Sequence, residues 1–225
     1  MMTRVDGSGV MTTETRDLPM LGRVTLSCPA TLALDDDADA AITIEAEDNI
    51  LPLIETVIEE TDGVASLHIR FTDTIRSISP TLPITMRMPL GGISAIAGSG
   101  SGTVTSMPMQ ADAIELQVSG SGTIAVDRVD GRQLELTISG SGTIGVAGFA
   151  QHVTATISGS GDLKAERLMC EDADVRVSGS GTTYLHVNQT LRTRISGSGA
   201  LHISGDPEIE SRVTGSGQII RISSL

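Results

Sequence analysis

The sequence predicts an all-β fold, a right-handed parallel β-helix (β-solenoid), and three observations support this. The tetrapeptide Ser-Gly-Ser-Gly recurs through the second half of the 225-residue chain at steps of 18 to 20 residues. Apolar and polar residues alternate on both sides of each copy. The chain has no Trp, one Tyr and two Phe, so its core must consist of thin aliphatic layers. A period near 20 residues with strand-like flanks is typical of a solenoid, and crossovers between parallel strands are overwhelmingly right-handed.

Each tetrapeptide is predicted to form a corner between two strands. The copies begin at Ser99, Ser119, Ser139, Ser158, Ser178 and Ser196, and a last variant begins at Thr214. Around these corners the apolar residues and both glycines share one parity, while the serines share the other. Successive side chains on a strand point to opposite faces. The glycines are therefore expected to face inward, where another backbone segment approaches closely, and the serines to face solvent.

Each repeat is predicted to contain two short strands, one polar turn and the corner. In one repeat the strands are residues 123–126 and 134–138, and the polar turn is residues 127–132. Repeats of this kind coil so that successive strands pair in parallel, about 4.8 Å apart. The repeats are therefore expected to stack their equivalent residues into columns along the solenoid.

The chain is predicted to have two parts that share one core. Residues 1–97 form an irregular β half, and residues 98–225 form the regular Ser-Gly-Ser-Gly solenoid. Within the first half, four apolar residues recur at helical spacing, namely Ile50, Ile54, Val57 and Ile58. With Asp48 or Asn49 as an N-cap, this spacing predicts one short helix near residues 48–60. The helix is expected to close an open end or side of the coil.

Charge and composition exclude several classes of function. The net charge of −13 opposes binding to nucleic acid and to anionic membrane surfaces, which need a concentrated positive field. No stretch is long and apolar enough to span a membrane. Residues 1–10 lack the apolar region of a secretory leader. No signal peptide is visible, so a cytoplasmic location stays open.

The residues that commonly carry chemistry do not form a recognisable site. Cys28 and Cys170 lie far apart in sequence, and Cys28 shares the parity of its apolar neighbours, so burial is expected. The four histidines fall on outward positions without a second histidine at ligand spacing, which predicts no metal site. The glycines recur between two strands, whereas a phosphate-binding loop needs a strand followed by a helix. We therefore predict no catalytic residue and no cofactor.

The hydroxyl groups at the corners form the first candidate binding surface. Stacking the repeats places the corner serines in two columns, which include Ser119 with Ser139 and Ser121 with Ser141. One interpretation is that these hydroxyls hydrogen-bond along the ladder and keep a tight corner soluble. The other is that they form a flat face that binds a repetitive partner such as a glycan.

Arginines in the last three repeats form the second candidate surface. Outward positions shortly before the corners carry Arg176, Arg192, Arg194 and Arg212, with Asp174 and Glu210 among them. Most such patterns are surface ion-pair ladders that contribute less than about 1 kcal/mol per pair. The alternative is an anion-binding patch for a sulfated or phosphorylated glycan.

Several motifs in a fixed order resemble a known bacterial family. They are Val5-Asp6-Gly7-Ser8-Gly9, Glu47-Asp48-Asn49-Ile50-Leu51, Thr61-Asp62-Gly63, the serial corners, and Ser204-Gly205-Asp206-Pro207. Together they resemble the head GIN domain family, whose members are labelled autotransporter adhesins, over nearly the whole chain. The resemblance implies a right-handed β-helix and a cell-envelope or surface location. It brings no established catalytic residues.

Three functional hypotheses follow. The leading one is a non-enzymatic, adhesin-like scaffold of the cell envelope or surface, presenting an extended face to a cell-surface glycan or another envelope protein. The second is a polysaccharide-active β-helix enzyme, for which Glu115 with Glu135, or Asp162 with Glu166, are the only outward carboxylate pairs. The third is a self-assembling homo-oligomer, because parallel strands can continue into the next molecule unless the ends are blocked. The predicted helix and the polar tail at residues 222–224 favour at least one blocked end.

Overall fold

The computed structural model describes residues 3–36, 40–73 and 75–223. Regular secondary structure in these residues is β-strand apart from one 3-10 turn at Leu51–Leu53. The first half of the chain forms the strands β1 (Thr3–Asp6), β2 (Met11–Asp17), β3 (Arg23–Leu26), β4 (Thr31–Asp35), β5 (Ala41–Glu47), β6 (Ile54–Thr61), β7 (Val64–Phe71), β8 (Ile75–Ser79) and β9 (Thr85–Pro89).

The second half of the chain forms the regular array. Its strands are β10 (Ala95–Gly100), β11 (Thr103–Ser106), β12 (Met109–Gln110), β13 (Ala113–Gly120), β14 (Thr123–Gly140), β15 (Thr143–Gly159), β16 (Asp162–Gly179), β17 (Thr182–Gly197), β18 (Ala200–Ser204), β19 (Glu208–Gly215) and β20 (Gln218–Arg221). Each pairs in parallel with the equivalent strand of the next repeat, so that Ser99 lies opposite Ser119 and Ser119 opposite Ser139. The predicted β-solenoid is confirmed.

The interior of the solenoid consists of aliphatic columns, as the few aromatic residues predict. One column contains Ile138, Ile157, Val177 and Ile195, and each side chain is 1% exposed. Layers of β-branched and leucine side chains at the spacing of parallel strands fill this narrow space without rings. Cys28 is buried, as predicted, and Cys170 is buried as well. Burial raises the pKa of both thiols to about 12.

The polar turn predicted at residues 127–132 is wrong. Strand β14 runs without a break from Thr123 to Gly140, and only a register shift between Val126 and Val129 marks the bend. The side chain of Val129 is fully buried, so this segment is a third wall of the coil. In the sequence Val129 stands between Arg128 and Asp130, so the segment has the composition of a polar turn.

The helix predicted near residues 48–60 is also wrong. Only the 3-10 turn at Leu51–Leu53 is helical, and the remainder is strand β6, which pairs antiparallel with β7. Thr56, Val57 and Ile58 are β-branched in succession, which favours a strand. The antiparallel partner supplies the backbone hydrogen bonds, and this tertiary pairing overrides the helical spacing of the apolar residues.

The first half of the chain closes one end of the coil by antiparallel pairing. Strand β3 lies between β7 and β10, and β4 lies between β9 and β11. The end formed by β7 and β9 is covered by β6 and β5, which run antiparallel, and β2 pairs with β5. The chain therefore adds strands here whose direction cannot continue the parallel array. The division at residue 97 stays a prediction.

Glu47 holds two loops against this closed end. Its side chain is 1% exposed. It accepts hydrogen bonds from the backbone N–H of Gly9 (2.7 Å) and of Thr81 (2.9 Å), and from the Thr81 hydroxyl. Asn49 accepts a hydrogen bond from the Ser8 N–H and donates one to the carbonyl of Asp6. Asp48 accepts a hydrogen bond from the Ser8 hydroxyl. Asp48 and Asn49 therefore bind the N-terminal Gly-Ser-Gly loop rather than cap a helix.

Candidate functional site

The outward side chains that precede the corners form one continuous surface, which we call the ladder face. The parallel register aligns two of its columns. The first contains Glu115, Glu135, Thr154, Asp174, Arg192 and Glu210. The second contains Gln117, Thr137, Thr156, Arg176, Arg194 and Arg212. The four arginines, Asp174 and Glu210 that the sequence placed on this surface therefore lie in these two columns, as predicted.

Three consecutive turns of the second column present arginine, and we call Arg176, Arg194 and Arg212 the arginine column. All three side chains are exposed. Within the described residues, none of the three forms an ion pair or a side-chain hydrogen bond, whereas Arg192 pairs with Glu210 at 3.4 Å. The column lines a cleft of about 260 Å³ together with Asp174, Arg192 and Glu210. In a chain of net charge −13 this is a local concentration of positive charge.

The first serine column borders the arginine column. Ser196 follows Arg194 by two residues on β17 and shares its outward parity, and Ser178 has the same relation to Arg176. Residues two apart on a strand lie about 6.6 Å apart on one face. Hydroxyl groups and guanidinium groups therefore line one surface.

The corner serines are exposed, as predicted, but their hydroxyls do not form a hydrogen-bonded ladder. The corners are held by backbone bonds instead: the N–H of Ser141 donates to the carbonyl of Gly120 at 2.8 Å, and that of Ser121 donates to Gly100 at 2.8 Å. In the described chain, no corner hydroxyl has a hydrogen-bond partner. The columns that contain Ser119, Ser121, Ser139 and Ser141 are thus open to solvent or to a ligand.

The two glycines of each corner have different roles, and only one of them faces inward. Gly142 is buried, and a Cβ atom there would lie 2.6 Å from the carbonyl oxygen of Gly122 in the preceding turn. Gly140 is half-buried and has φ of +119°, which L side chains rarely adopt. A Cβ atom at Gly140 would point along the solenoid toward Gly120. The prediction that both glycines face inward is correct for the second and wrong for the first.

The carboxylate pairs considered for catalysis are partly engaged. Glu115 and Glu135 are in register on neighbouring turns, but Glu115 binds both terminal nitrogens of the Arg23 guanidinium. Asp162 accepts a hydrogen bond from the backbone N–H of Thr182 at 3.3 Å.

The histidines make local contacts. His186 binds the Ser204 hydroxyl at 2.9 Å and Asn188 at 3.0 Å, and His152 lies 3.2 Å from Asp172. In the ranges 3–36, 40–73 and 75–223, no group of three His, Cys, Asp or Glu residues could hold a metal ion.

One aromatic stack was not predicted from the sequence. The rings of Tyr184 and His202 lie 4.5 Å apart between centroids, with planes 15° from parallel. Each ring covers a face of the other, so the pair stabilises the ladder and leaves less ring surface for a sugar. The signal was present, because the two residues are separated by 18 residues, the length of that repeat.

The sequence matches the family described as "Putative auto-transporter adhesin, head GIN domain" over residues 22–207. The chain belongs to the head GIN domain family. The resemblance seen in the motifs is confirmed, and the family is described as adhesins rather than enzymes. A comparison with curated proteins found no match.

Solved structures of three bacterial proteins are similar to this chain in fold. A "putative adhesin" from Bacteroides fragilis has a TM-score of 0.83 and 18% identity, with 97% of this chain and 100% of that chain covered. A "putative lipid binding protein" from Parabacteroides distasonis has a TM-score of 0.77 and 22% identity, with 98% and 100% covered. A "putative adhesin" from Parabacteroides merdae has a TM-score of 0.70 and 19% identity, with 97% and 99% covered.

The described residues contain no helical segment with the length and apolarity that a bilayer crossing requires. The family description is consistent with a place at the cell surface or envelope.

Proposed function

We propose that this protein is a non-enzymatic, adhesin-like scaffold of the bacterial cell envelope or surface, and that its ladder face binds an anionic glycan. One observation carries the second part of the proposal. Three arginines, Arg176, Arg194 and Arg212, stand in register on consecutive turns, and the described residues provide no ion-pair partner for them.

The chemistry of this surface suits sulfate or phosphate groups on a polymer. A guanidinium group presents a planar fork of N–H donors that matches two oxygens of such an anion. The neighbouring hydroxyls of Ser178 and Ser196 are without partners in the described chain and can bind sugar hydroxyls. Because the columns repeat at the spacing of parallel strands, one extended chain can contact several turns in the same way.

The remaining charge of the molecule limits what binds. A net charge of −13 repels long uniform polyanions, so the cleft is suited to a glycan with spaced anionic groups rather than to nucleic acid. The engagement of Glu115 by Arg23 leaves Glu135 without a free carboxylate beside it on the preceding turn. This favours binding over hydrolysis, which needs two cooperating carboxylates.

The replacement Arg194→Ala is expected to weaken binding to sulfated or phosphorylated glycans about tenfold or more. The reason is the loss of one charge-assisted hydrogen-bonding group, which contributes about 1.5–3 kcal/mol. Binding is measured on a glycan array and then by titration at two salt concentrations. Arg167→Ala is the matched control, since Arg167 is also an exposed arginine but lies outside the cleft.

Two results would count against the glycan proposal. One is equal binding by the wild-type protein and Arg194→Ala. The other is a wild-type protein that binds none of the anionic glycans on the array.

The proposed location has its own test. We expect fractionation of the native host to place this protein in the envelope fraction, detected with an antibody against the folded domain. Detection in the cytosol alone would contradict the envelope assignment and leave the glycan measurement unaffected.

A further inference from the structure

The last turn of the solenoid lacks the cover that the inner turns have. Strand β19 pairs with β17 and β20 pairs with β18, and no other described strand pairs with either. The exposed fraction of Val213 is 42%, whereas Ile195, its neighbour in the same inward column, is 1% exposed. Ile209 and Ile219 are half-buried, although the residues that precede them in their columns are fully buried.

The two ends of the molecule therefore differ. At the end formed by the first half, antiparallel strands cover the array, and the edge strand β6 carries Glu55, Glu59 and Glu60. Charges of one sign on an edge strand repel a second copy of that strand and oppose pairing, whereas β19 carries both signs, in Glu208, Glu210 and Arg212. At the other end, β19 presents unpaired backbone groups and an apolar inward face in the described chain.

The sequence of β19 is complementary to itself in the antiparallel direction. If two copies of β19 pair about Ser211, Glu210 lies opposite Arg212 of the second copy, and Arg212 lies opposite its Glu210. In the same register Ile209 lies opposite Val213 of the second copy. Outward residues meet outward residues and inward residues meet inward residues, as cross-strand pairs require.

We propose that the protein forms a two-fold symmetric dimer, end to end, through antiparallel pairing of β19 with β19 of a second copy. The pairing satisfies the free backbone edge and buries Val213. It also forms two symmetric Glu210–Arg212 ion pairs, in which Glu210 keeps Arg192 of its own copy as a second partner. Pairing of β19 with the opposite end of a second copy is disfavoured, because Glu208 and Glu210 would approach the carboxylates of β6. An isologous contact of this kind closes after two copies.

The dimer would affect the ladder face in a definite way. The two faces would lie on one elongated particle, and Arg212 of each copy would bind Glu210 of the other. Arg176 and Arg194 lie on the preceding turns and stay available. The dimer would leave two of the three arginines to a glycan, but its test measures mass and not ligand binding, so the two proposals can fail separately.

Charge reversal at the interface provides the test. In a dimer of Glu210→Arg, the new arginine would lie opposite Arg212 of the second copy and repel it. In a dimer of Arg212→Glu, the new glutamate would lie opposite Glu210 of the second copy and repel it. We expect each variant to be monomeric alone, and an equimolar mixture to form a heterodimer in which both pairs are complementary. Sedimentation velocity over a concentration series measures the masses, and circular dichroism checks the fold of each variant. Both side chains are exposed, so folding is expected to be unchanged.

Glu135→Arg is the matched control, because Glu135 is an exposed glutamate of the same column on an inner turn. It is expected to leave the wild-type dimer intact. The proposal is overturned by a wild-type protein that stays monomeric at all concentrations, by dimers of either reversed variant alone, by a mixture that does not associate, or by particles that grow beyond two copies.

Discussion

Replacing Gly142 with alanine is expected to lower the free energy of unfolding by at least about 2 kcal/mol, through overpacking of the corner. A Cβ atom at this position would lie 2.6 Å from the carbonyl oxygen of Gly122 and still closer to a methyl group of Val118. The backbone of the preceding turn cannot retreat, because its N–H and carbonyl groups pair with turns on both sides. Denaturant unfolding followed by circular dichroism measures the change.

Gly145→Ala is the matched control for this prediction. Gly145 lies in the same turn, three residues further along, and a Cβ atom there would have no atom within 4 Å. We expect this variant to be neutral or slightly more stable, because alanine restricts the unfolded chain. Equal changes in the free energy of unfolding for the two replacements would contradict this account, because only Gly142 has the backbone of the preceding turn within contact distance.

Replacing Glu47 with glutamine is expected to lower the melting temperature at pH 7, on the order of 5 °C. The Thr81 hydroxyl, and with it the backbone N–H groups of Gly9, Thr81 and Leu82, holds the pKa of the Glu47 carboxyl below its usual 4.5, although burial alone would raise it. An amide in place of the carboxylate would turn an N–H group toward these donors. Two loops would then lose their anchor at the closed end.

The pH dependence of stability follows from the direction of this shift. Because the folded-state pKa is lowered, the stabilisation by Glu47 is complete above its unfolded pKa and is lost as the pH falls through the folded pKa. Wild-type stability should therefore fall on acidification below about pH 4.5, with a smaller fall in Glu47→Gln. Glu45→Gln, an exposed neighbour on the same strand, is the control. The same acid profile in Glu47→Gln and the wild-type protein would contradict this account.

The architecture of the regular half follows directly from local sequence. Each corner repeats one tetrapeptide, in which the second glycine position has no room for a side chain and the serines face solvent. The period alone therefore aligns Ser119 with Ser139 and Arg176 with Arg194. Parallel pairing at a constant step converts sequence distance into a position on the surface. For this reason the sequence could place the arginines of the ladder face on neighbouring turns.

The strands of the first half could not be predicted in this way, because they pair with strands that are far away in the sequence. Ile54, Val57 and Ile58 fit a helical spacing, yet their backbone bonds with β7 decide their conformation. Asp48 and Asn49 have side chains that cap helices in many proteins, and here they bind a loop some 40 residues earlier in the chain. Residue type alone does not distinguish these partners.

At the candidate site, the sequence predicted where the side chains lie but not what they touch. It placed Arg192 and Arg194 on one face, and the structure shows that Arg192 has Glu210 as a partner while Arg194 has no ion-pair partner in the described chain. The sequence allowed two interpretations of the corner hydroxyls. The structure shows that the corners are held by backbone hydrogen bonds, such as that from Ser141 to Gly120, and not by a ladder of hydroxyl groups. Which partner a side chain binds depends on its conformation, and the sequence does not specify that conformation.

By itself, the sequence determined that this chain coils into stacked parallel strands with a hydroxyl-bearing exterior, because a strict 18-to-20-residue period leaves each turn the same partner along its whole length. Only the tertiary structure decided how the coil ends. Closure at one end by antiparallel strands depends on contacts between residues that no repeat relates, and at the other end no strand of the described residues covers β19. Inside the solenoid each turn pairs with an equivalent turn on both sides, so the repeat predicts its contacts. A turn at either end has such a neighbour on one side only, and the repeat does not predict what covers its other side.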